Sequence, residues 1–215
     1  MIKNLNKYID HTLLKPFATE EDIIKLCSEA KKYDFASVCV NPCYVSVARR
    51  ELEGTDVKVC TVIGFPLGAN TTEIKAKETE CAYYDGCDEF DMVINVGKLK
   101  ERDCAYVKRE IEAVVREARG KVVKVIIETF YLTPDEVALA SQIASEAGAD
   151  FVKTCTGFNE GVATAENVKI MKENVSEGVC VKASAGIRNY EQAKELIEAG
   201  ADRIGTSAGV KIIEG

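Results

Sequence analysis

The sequence predicts an α/β protein whose eight parallel strands alternate with helices and close into a (β/α)8, or TIM, barrel. Three observations carry that expectation. Short apolar runs alternate with amphipathic stretches of helical period along the chain, with no low-complexity run between them. The phrase Glu146-Ala147-Gly148-Ala149-Asp150 returns as Glu198-Ala199-Gly200-Ala201-Asp202, each time a glycine-capped helix end that turns into a strand. The stretch Phe151-Val152-Lys153-Thr154-Cys155-Thr156-Gly157 is echoed, 29 residues on, by Cys180-Val181-Lys182-Ala183-Ser184-Ala185-Gly186. At 215 residues the chain is near the lower limit for this fold, so one domain over 1–215 with short loops is expected. An open doubly wound sheet is the alternative, but no glycine-rich dinucleotide fingerprint follows the first strand.

The elements follow in order. Tyr8 to Leu13 is the first strand, and a helix capped by Thr19 runs through Ala30. Phe35 to Val40 is strand two; Asn41-Pro42 then opens a helix that Gly54 ends. Strand three is Val57 to Ile63, followed by the loop Gly64 to Asn70 and a helix capped by Thr72 that reaches Tyr84. Strand four is Glu89 to Asn95, a long helix spans Asp103 to Gly120, and strand five is Val122 to Glu128. Thr133-Pro134-Asp135-Glu136 combines a cap, an N1 proline and an N3 acid, a strong helix start. Lys153 ends strand six and Lys182 ends strand seven, with a helix from Thr164 to Val175 between them. Asn189 caps the next helix, Arg203 to Ser207 is strand eight, and a short turn follows Gly209.

Composition narrows the function classes. A formal net charge of −7 argues against general nucleic-acid binding, so an anionic substrate needs a local site. No apolar run approaches a membrane span and the first residues lack a secretory apolar stretch, so a cytoplasmic protein is expected. Nine cysteines, an odd count without a CxxC, and a single histidine (His11) predict neither a disulfide framework nor a metal site. Cys39, Cys60 and Cys180 read as small buried hydrophobes, whereas Cys155 shares the strand face of Lys153 and is a candidate cavity residue.

In this fold the site forms at the C-terminal strand ends, which bring Asp10, Thr12, Cys39, Asp91, Asn95, Glu128, Lys153 and Lys182 into consideration. An ammonium leaves water only if it is paired, neutral or close to solvent, so two lysines at one register point to amine chemistry. The bland reading is a pair of satisfied or snorkelling lysines. Asp91, alone among apolar neighbours, is either a proton-transfer group or the structural partner of a lysine. Thr156-Gly157, Gly186 and Gly205-Thr206-Ser207 follow the last three strands, where backbone N–H groups commonly hold phosphate. The residues alone lead to a lysine-dependent lyase or isomerase of a phosphorylated sugar, without choosing between Lys153 and Lys182 as nucleophile. A non-catalytic sugar-phosphate sensor is a competing reading, although it has no need for Lys153, Lys182 and Asp91 together. A barrel isomerase with Asp91 as base is another, and it does not require two lysines.

The motifs resemble the deoxyribose-phosphate aldolase family nearly end to end. The resemblance is carried by Asp10-His11-Thr12-Leu13-Leu14-Lys15-Pro16, Val38-Cys39-Val40-Asn41-Pro42, Thr61-Val62-Ile63-Gly64-Phe65-Pro66-Leu67-Gly68, Glu89-Phe90-Asp91-Met92-Val93-Ile94-Asn95, Phe151-Val152-Lys153-Thr154 and Val181-Lys182-Ala183-Ser184. It implies reversible cleavage of 2-deoxy-D-ribose 5-phosphate to glyceraldehyde 3-phosphate and acetaldehyde, without metal or organic cofactor. It also implies a homodimer or higher homo-oligomer, with neither nucleic acid nor membrane as partner. On this resemblance Lys153 forms the Schiff base, Lys182 perturbs it, Asp91 takes part in proton relay, and Asp10 is a further polar site residue. Thr12, Cys39, Thr154, Thr156, Gly157, Gly186, Gly205 and Ser207 are expected to contact the substrate or its phosphate. The chain departs from the family pattern at Ala185, where a glycine is usual, and at Phe158, where some relatives carry lysine.

Overall fold

The computed structural model describes residues 2–215. Eight strands run Ile9–Leu13 (β1), Ser37–Val40 (β2), Lys58–Ile63 (β3), Glu89–Val93 (β4), Val122–Ile126 (β5), Phe151–Lys153 (β6), Cys180–Ser184 (β7) and Arg203–Thr206 (β8). Each pairs in parallel with the next, and β8 returns to β1, so the sheet closes into a barrel. Around it lie Glu20–Tyr33 (α1), Val45–Glu51 (α2), Thr72–Tyr84 (α3), Val96–Lys100 (α4), Cys104–Ala118 (α5), Pro134–Glu146 (α6), Ala165–Asn174 (α7), Tyr190–Glu198 (α8) and Gly209–Glu214 (α9). No helix among the described residues is long and apolar enough to cross a membrane.

Local chemistry sets the helix starts. Thr19 and Thr133 close capping boxes with Asp22 and Glu136, and Asn189 accepts from the Gln192 N–H. Four sequence expectations shift. Thr71 holds the N-cap position of α3 and Thr72 is its first helical residue. Pro42 opens a 3-10 turn, Pro42–Tyr44, before α2 begins. The short α4 was not anticipated, because Val-Gly-Lys-Leu-Lys is too brief to show a helical period; Asn95 caps it through the Lys98 N–H. Gly209 starts the helix α9 instead of a bare turn.

Alternation along the strands sorts residues between two layers. Val38, Val40, Phe90, Met92, Val123, Val125, Val152, Val181, Ala183 and Ile204 face the helices and build the main core. The opposite faces of β4, β5, β6, β7 and β8 carry Asp91, Lys124, Lys153, Lys182 and Arg203 into the barrel. Barrel interiors are usually filled by branched apolar side chains. Here the middle layer is ionic, and a small apolar cluster of Leu14, Cys39, Cys60 and Val62 shares the interior.

Two glycines explain why the loop after β3 has its sequence. A Cβ on Gly64, at φ 63°, would lie 2.9 Å from Cε of Lys75. That lysine is fully buried, donates to the Val93 carbonyl at 2.8 Å and pairs with Glu110 at 2.6 Å. A Cβ on Gly68 would meet the Ile94 carbonyl oxygen at 1.9 Å. The Lys75 bond holds Val93, the last residue of β4, and Gly68 lies close against Ile94 just beyond it.

Candidate active site

Strand register brings the charged residues together. Asp91 pairs in register with Lys124, Lys153 with Lys182, and Lys182 with Arg203. The Asp91 carboxylate is fully buried. Its Oδ1 accepts from Lys124 at 2.8 Å, and its Oδ2 accepts from Lys153 at 2.7 Å and Lys182 at 2.8 Å. Lys182 Nζ also lies 2.5 Å from Asp10 Oδ2, and Asp10 is held in turn by Arg203 at 2.7 Å and the Ser37 hydroxyl at 2.6 Å. Glu89 joins Lys124 at 2.6 Å and Arg203 at 3.4 Å. Four cations thus face three carboxylates, leaving one positive charge in excess.

The network settles the charge of its deeper members. Burial alone would raise the Asp91 carboxyl, but Lys124, Lys153 and Lys182 overcome it and hold the group well below the usual carboxylate range. Burial likewise opposes the charge on Lys182 and Lys124, yet the neighbouring carboxylates (Asp10 and Asp91 for Lys182, Asp91 foremost for Lys124) raise both above an ordinary lysine. Asp10 is lowered against its burial by Lys182 and Arg203. Its contacts to three ammonium groups fix the amines in place around the carboxylate of Asp91.

Lys153 alone of this group opens upward, into a cavity of ≈ 500 Å³ at the C-terminal end of the barrel. The residues expected at the substrate divide into two sets. Thr12, Thr156 and Gly157 line the cavity, as do Gly186, Gly205 and Ser207. Asp10, Asp91 and Lys182 lie beneath its floor, because Lys182 is the third residue of β7 and not its last. Three expectations are corrected. Thr154 is buried as a clip between strands, donating to the Ser184 carbonyl at 2.9 Å and accepting from its N–H at 3.0 Å. Cys39 points into the barrel interior opposite Cys60, below Leu14, and does not line the cavity. Cys155 is also withdrawn, with its sulfur 3.2 Å from the Thr129 hydroxyl.

The inert reading of Cys60 does not hold either: its sulfur lies 3.1 Å from Asp91 Oδ1 and 3.3 Å from Lys124 Nζ. Several participants escaped sequence reasoning. Lys124, inside Val-Val-Lys-Val-Ile, carries the same signal as Asp91: a charge at the middle of an apolar strand. Glu89 and Arg203 open their strands and resemble ordinary surface charges until the barrel closes over them. Lys15 and Arg188 follow β1 and β7 and line the cavity mouth.

The glycine-rich loops do three separate jobs. Among the described residues, the backbone N–H groups of Gly157, Gly186 and Ser207 donate to no protein acceptor. Ala185 sits at φ 85° where glycine would be unstrained, so the loop keeps its path at an energetic cost. Gly205 is required by packing: a Cβ there would lie 2.1 Å from Ser184 Oγ and 3.0 Å from Lys182 Cε. Gly205→Ala is therefore expected to destabilise the protein by about 1–3 kcal/mol through overpacking against Lys182, as measured by urea denaturation. An unchanged midpoint would mean that Ser184 and Lys182 yield freely.

Fold and site together define a barrel enzyme with a lysine at the floor of its cavity. The model of the DeoC/LacD family aldolases matches residues 5–215, and the chain belongs to that family. A deoxyribose-phosphate aldolase of Clostridium tetani is 61% identical over 211 residues, covering 98% of both chains. One from Thermococcus gammatolerans is 59% identical over 216 residues, covering 99% of this chain and 96% of its own. Among solved structures, the tetrameric deoxyribose phosphate aldolase of Aeropyrum pernix superposes with a TM-score of 0.91 at 38% identity, over 98% of this chain and 89% of that one.

Proposed function

We propose that this protein is a Schiff-base aldolase that reversibly cleaves 2-deoxy-D-ribose 5-phosphate to D-glyceraldehyde 3-phosphate and acetaldehyde. The observation that carries this reading is Lys153: one amine of an ion network with a surplus cation, and the one facing a cavity of small-substrate size. Loss of its proton leaves the network electrically balanced, with Lys182 and Lys124 still cationic. The neutral amine attacks the open-chain aldehyde at C1, and loss of water gives an iminium. Deprotonation of the C3 hydroxyl then breaks the C2–C3 bond, because only that bond delivers its electrons to the iminium as an enamine. Protonation of the enamine at C2 and hydrolysis release acetaldehyde and restore Lys153. Asp91 Oδ2 touches both Lys182 and Lys153, so Asp91 and Lys182 form the relay that brings the proton from the buried side to the cavity.

The phosphate belongs at the mouth, where Arg188 lies with the free N–H groups of Gly157, Gly186 and Ser207. Phe158 stands edge-on to Phe65, with ring centroids 5.0 Å apart, and forms an apolar side of this end instead of a cationic one. A homo-oligomer completes the reading, supported by the tetrameric relative from Aeropyrum pernix. Gly186 is a poor probe of phosphate binding, since any Cβ there would press to 2.6 Å on Val162 at φ 78°. Arg188→Ala is the cleaner test. Its KM for deoxyribose 5-phosphate should rise roughly 10–100-fold, the worth of a charged hydrogen bond, while KM for unphosphorylated deoxyribose stays near wild type. Equal losses for both substrates, measured by coupled assay of acetaldehyde release, would remove Arg188 from the phosphate site.

A further inference from the structure

Cys39 and Cys60 take no part in this mechanism, yet they sit directly under it. They are register partners on β2 and β3, both completely buried. Their sulfurs and a carboxylate oxygen of Asp91 all lie within 4.8 Å of one another. A divalent cation with thiolate bonds near 2.3 Å and a carboxylate bond near 2.1 Å fits such a triangle. Cys60 Sγ already stands 3.1 Å from Asp91 Oδ1, so a small outward shift seats an ion between them.

We propose that Cys39, Cys60 and Asp91 form an inhibitory site for a thiophilic divalent cation of the zinc type. Charge decides which cations enter. Lys124, Lys153 and Lys182 surround Asp91, so a hard ion that merely adds two charges is repelled. A thiophilic ion instead replaces the two thiol protons: two S–H bonds break, two metal–sulfur bonds form, and two protons leave to solvent. The unit that replaces them adds no net charge to the lysine cluster. The ion then competes with Lys124 for Asp91 Oδ1, and the carboxylate that positions Lys153 and Lys182 is pulled away from them. Inhibition, though not binding, rests on the aldolase reading above.

The probe is Cd²⁺, added to the reduced protein in a Cys43→Ser/Cys81→Ser background, which removes the two exposed thiols. One equivalent should produce a thiolate-to-cadmium charge-transfer band in the near ultraviolet, with aldolase activity falling in parallel and returning on chelation. Mg²⁺ at the same concentration should do neither. Cys60→Ser, which keeps a donor toward Asp91, should weaken Cd²⁺ at least about 100-fold by both readouts, beyond the loss typical of second-shell changes. Cys39→Ser should do the same, and circular dichroism checks that both variants fold. The site is overturned if no stoichiometric band forms, or if the band survives in both variants. A band that forms with activity unchanged overturns the inhibition. Absence of aldolase activity before any metal is added would instead refute the proposed function, and the band would still decide the site.

Discussion

Borohydride reduction in the presence of acetaldehyde is expected to place one reduced adduct on Lys153 and none on Lys182. Peptide mass mapping reads this directly. The two amines are register partners and share the same carboxylate oxygen, at 2.7 and 2.8 Å, so proximity to Asp91 does not separate them. What separates them is access. Lys153 lines the cavity, whereas Lys182 is fully buried below it and held cationic by Asp10 and Asp91. An ammonium has no lone pair to offer a carbonyl, so the buried partner forms no adduct. Lys153→Leu should lower kcat/KM by roughly 10⁴–10⁶-fold, as loss of a covalent nucleophile does in other enzymes. An adduct on Lys182, or turnover within tenfold of wild type in Lys153→Leu, would reverse the assignment.

Asp91→Asn is expected to damage the fold as well as the reaction. The carboxylate compensates Lys124, Lys153 and Lys182 inside a barrel from which water is excluded. The isosteric amide removes the charge and turns N–H donors toward at least one ammonium. Uncompensated buried charge costs about 3–5 kcal/mol, and loss of the fixed amine geometry should reduce turnover about 10²–10⁴-fold. The pH dependence has a definite sign. The folded carboxyl is depressed, so its stabilisation is complete above the unfolded value of about 3.9 and fades as pH falls toward the folded one. The difference in unfolding free energy between wild type and Asp91→Asn should therefore be constant from about pH 8 to 5 and shrink below about pH 4. Urea denaturation at pH 7 and pH 3.5 measures both. A deficit under about 1 kcal/mol at pH 7 would show that the remaining carboxylates suffice to hold the three lysines.

Legibility differed by kind of residue. The lysine pair showed itself because two strands repeat one design in step. The thiols and the lower charges did not. Cys39 and Cys60 look like any small residue in an apolar run, and Thr154 looks like a cavity residue because it directly follows Lys153. Strand β6 ends at Lys153, however, and the chain turns Thr154 toward Ser184 instead. Lys124 was legible in principle and missed: a lysine between valines on a central strand carries the same warning as an aspartate between hydrophobes.

The sequence by itself determined the barrel, the order of its elements and a pair of lysines at matching positions of two strands. These rest on periodicity, caps and repeats, which act over a few residues and are written in the local order of side chains. Only the tertiary structure decided what the charges inside the barrel do. Asp10 and Arg203 are 193 residues apart and touch because β8 closes onto β1. Asp91 meets Lys182 across 91 residues, through two strands that never pair. Once closure buries these groups, such meetings hold Lys124 and Lys182 charged and decide that Lys153 is the amine that lines the cavity.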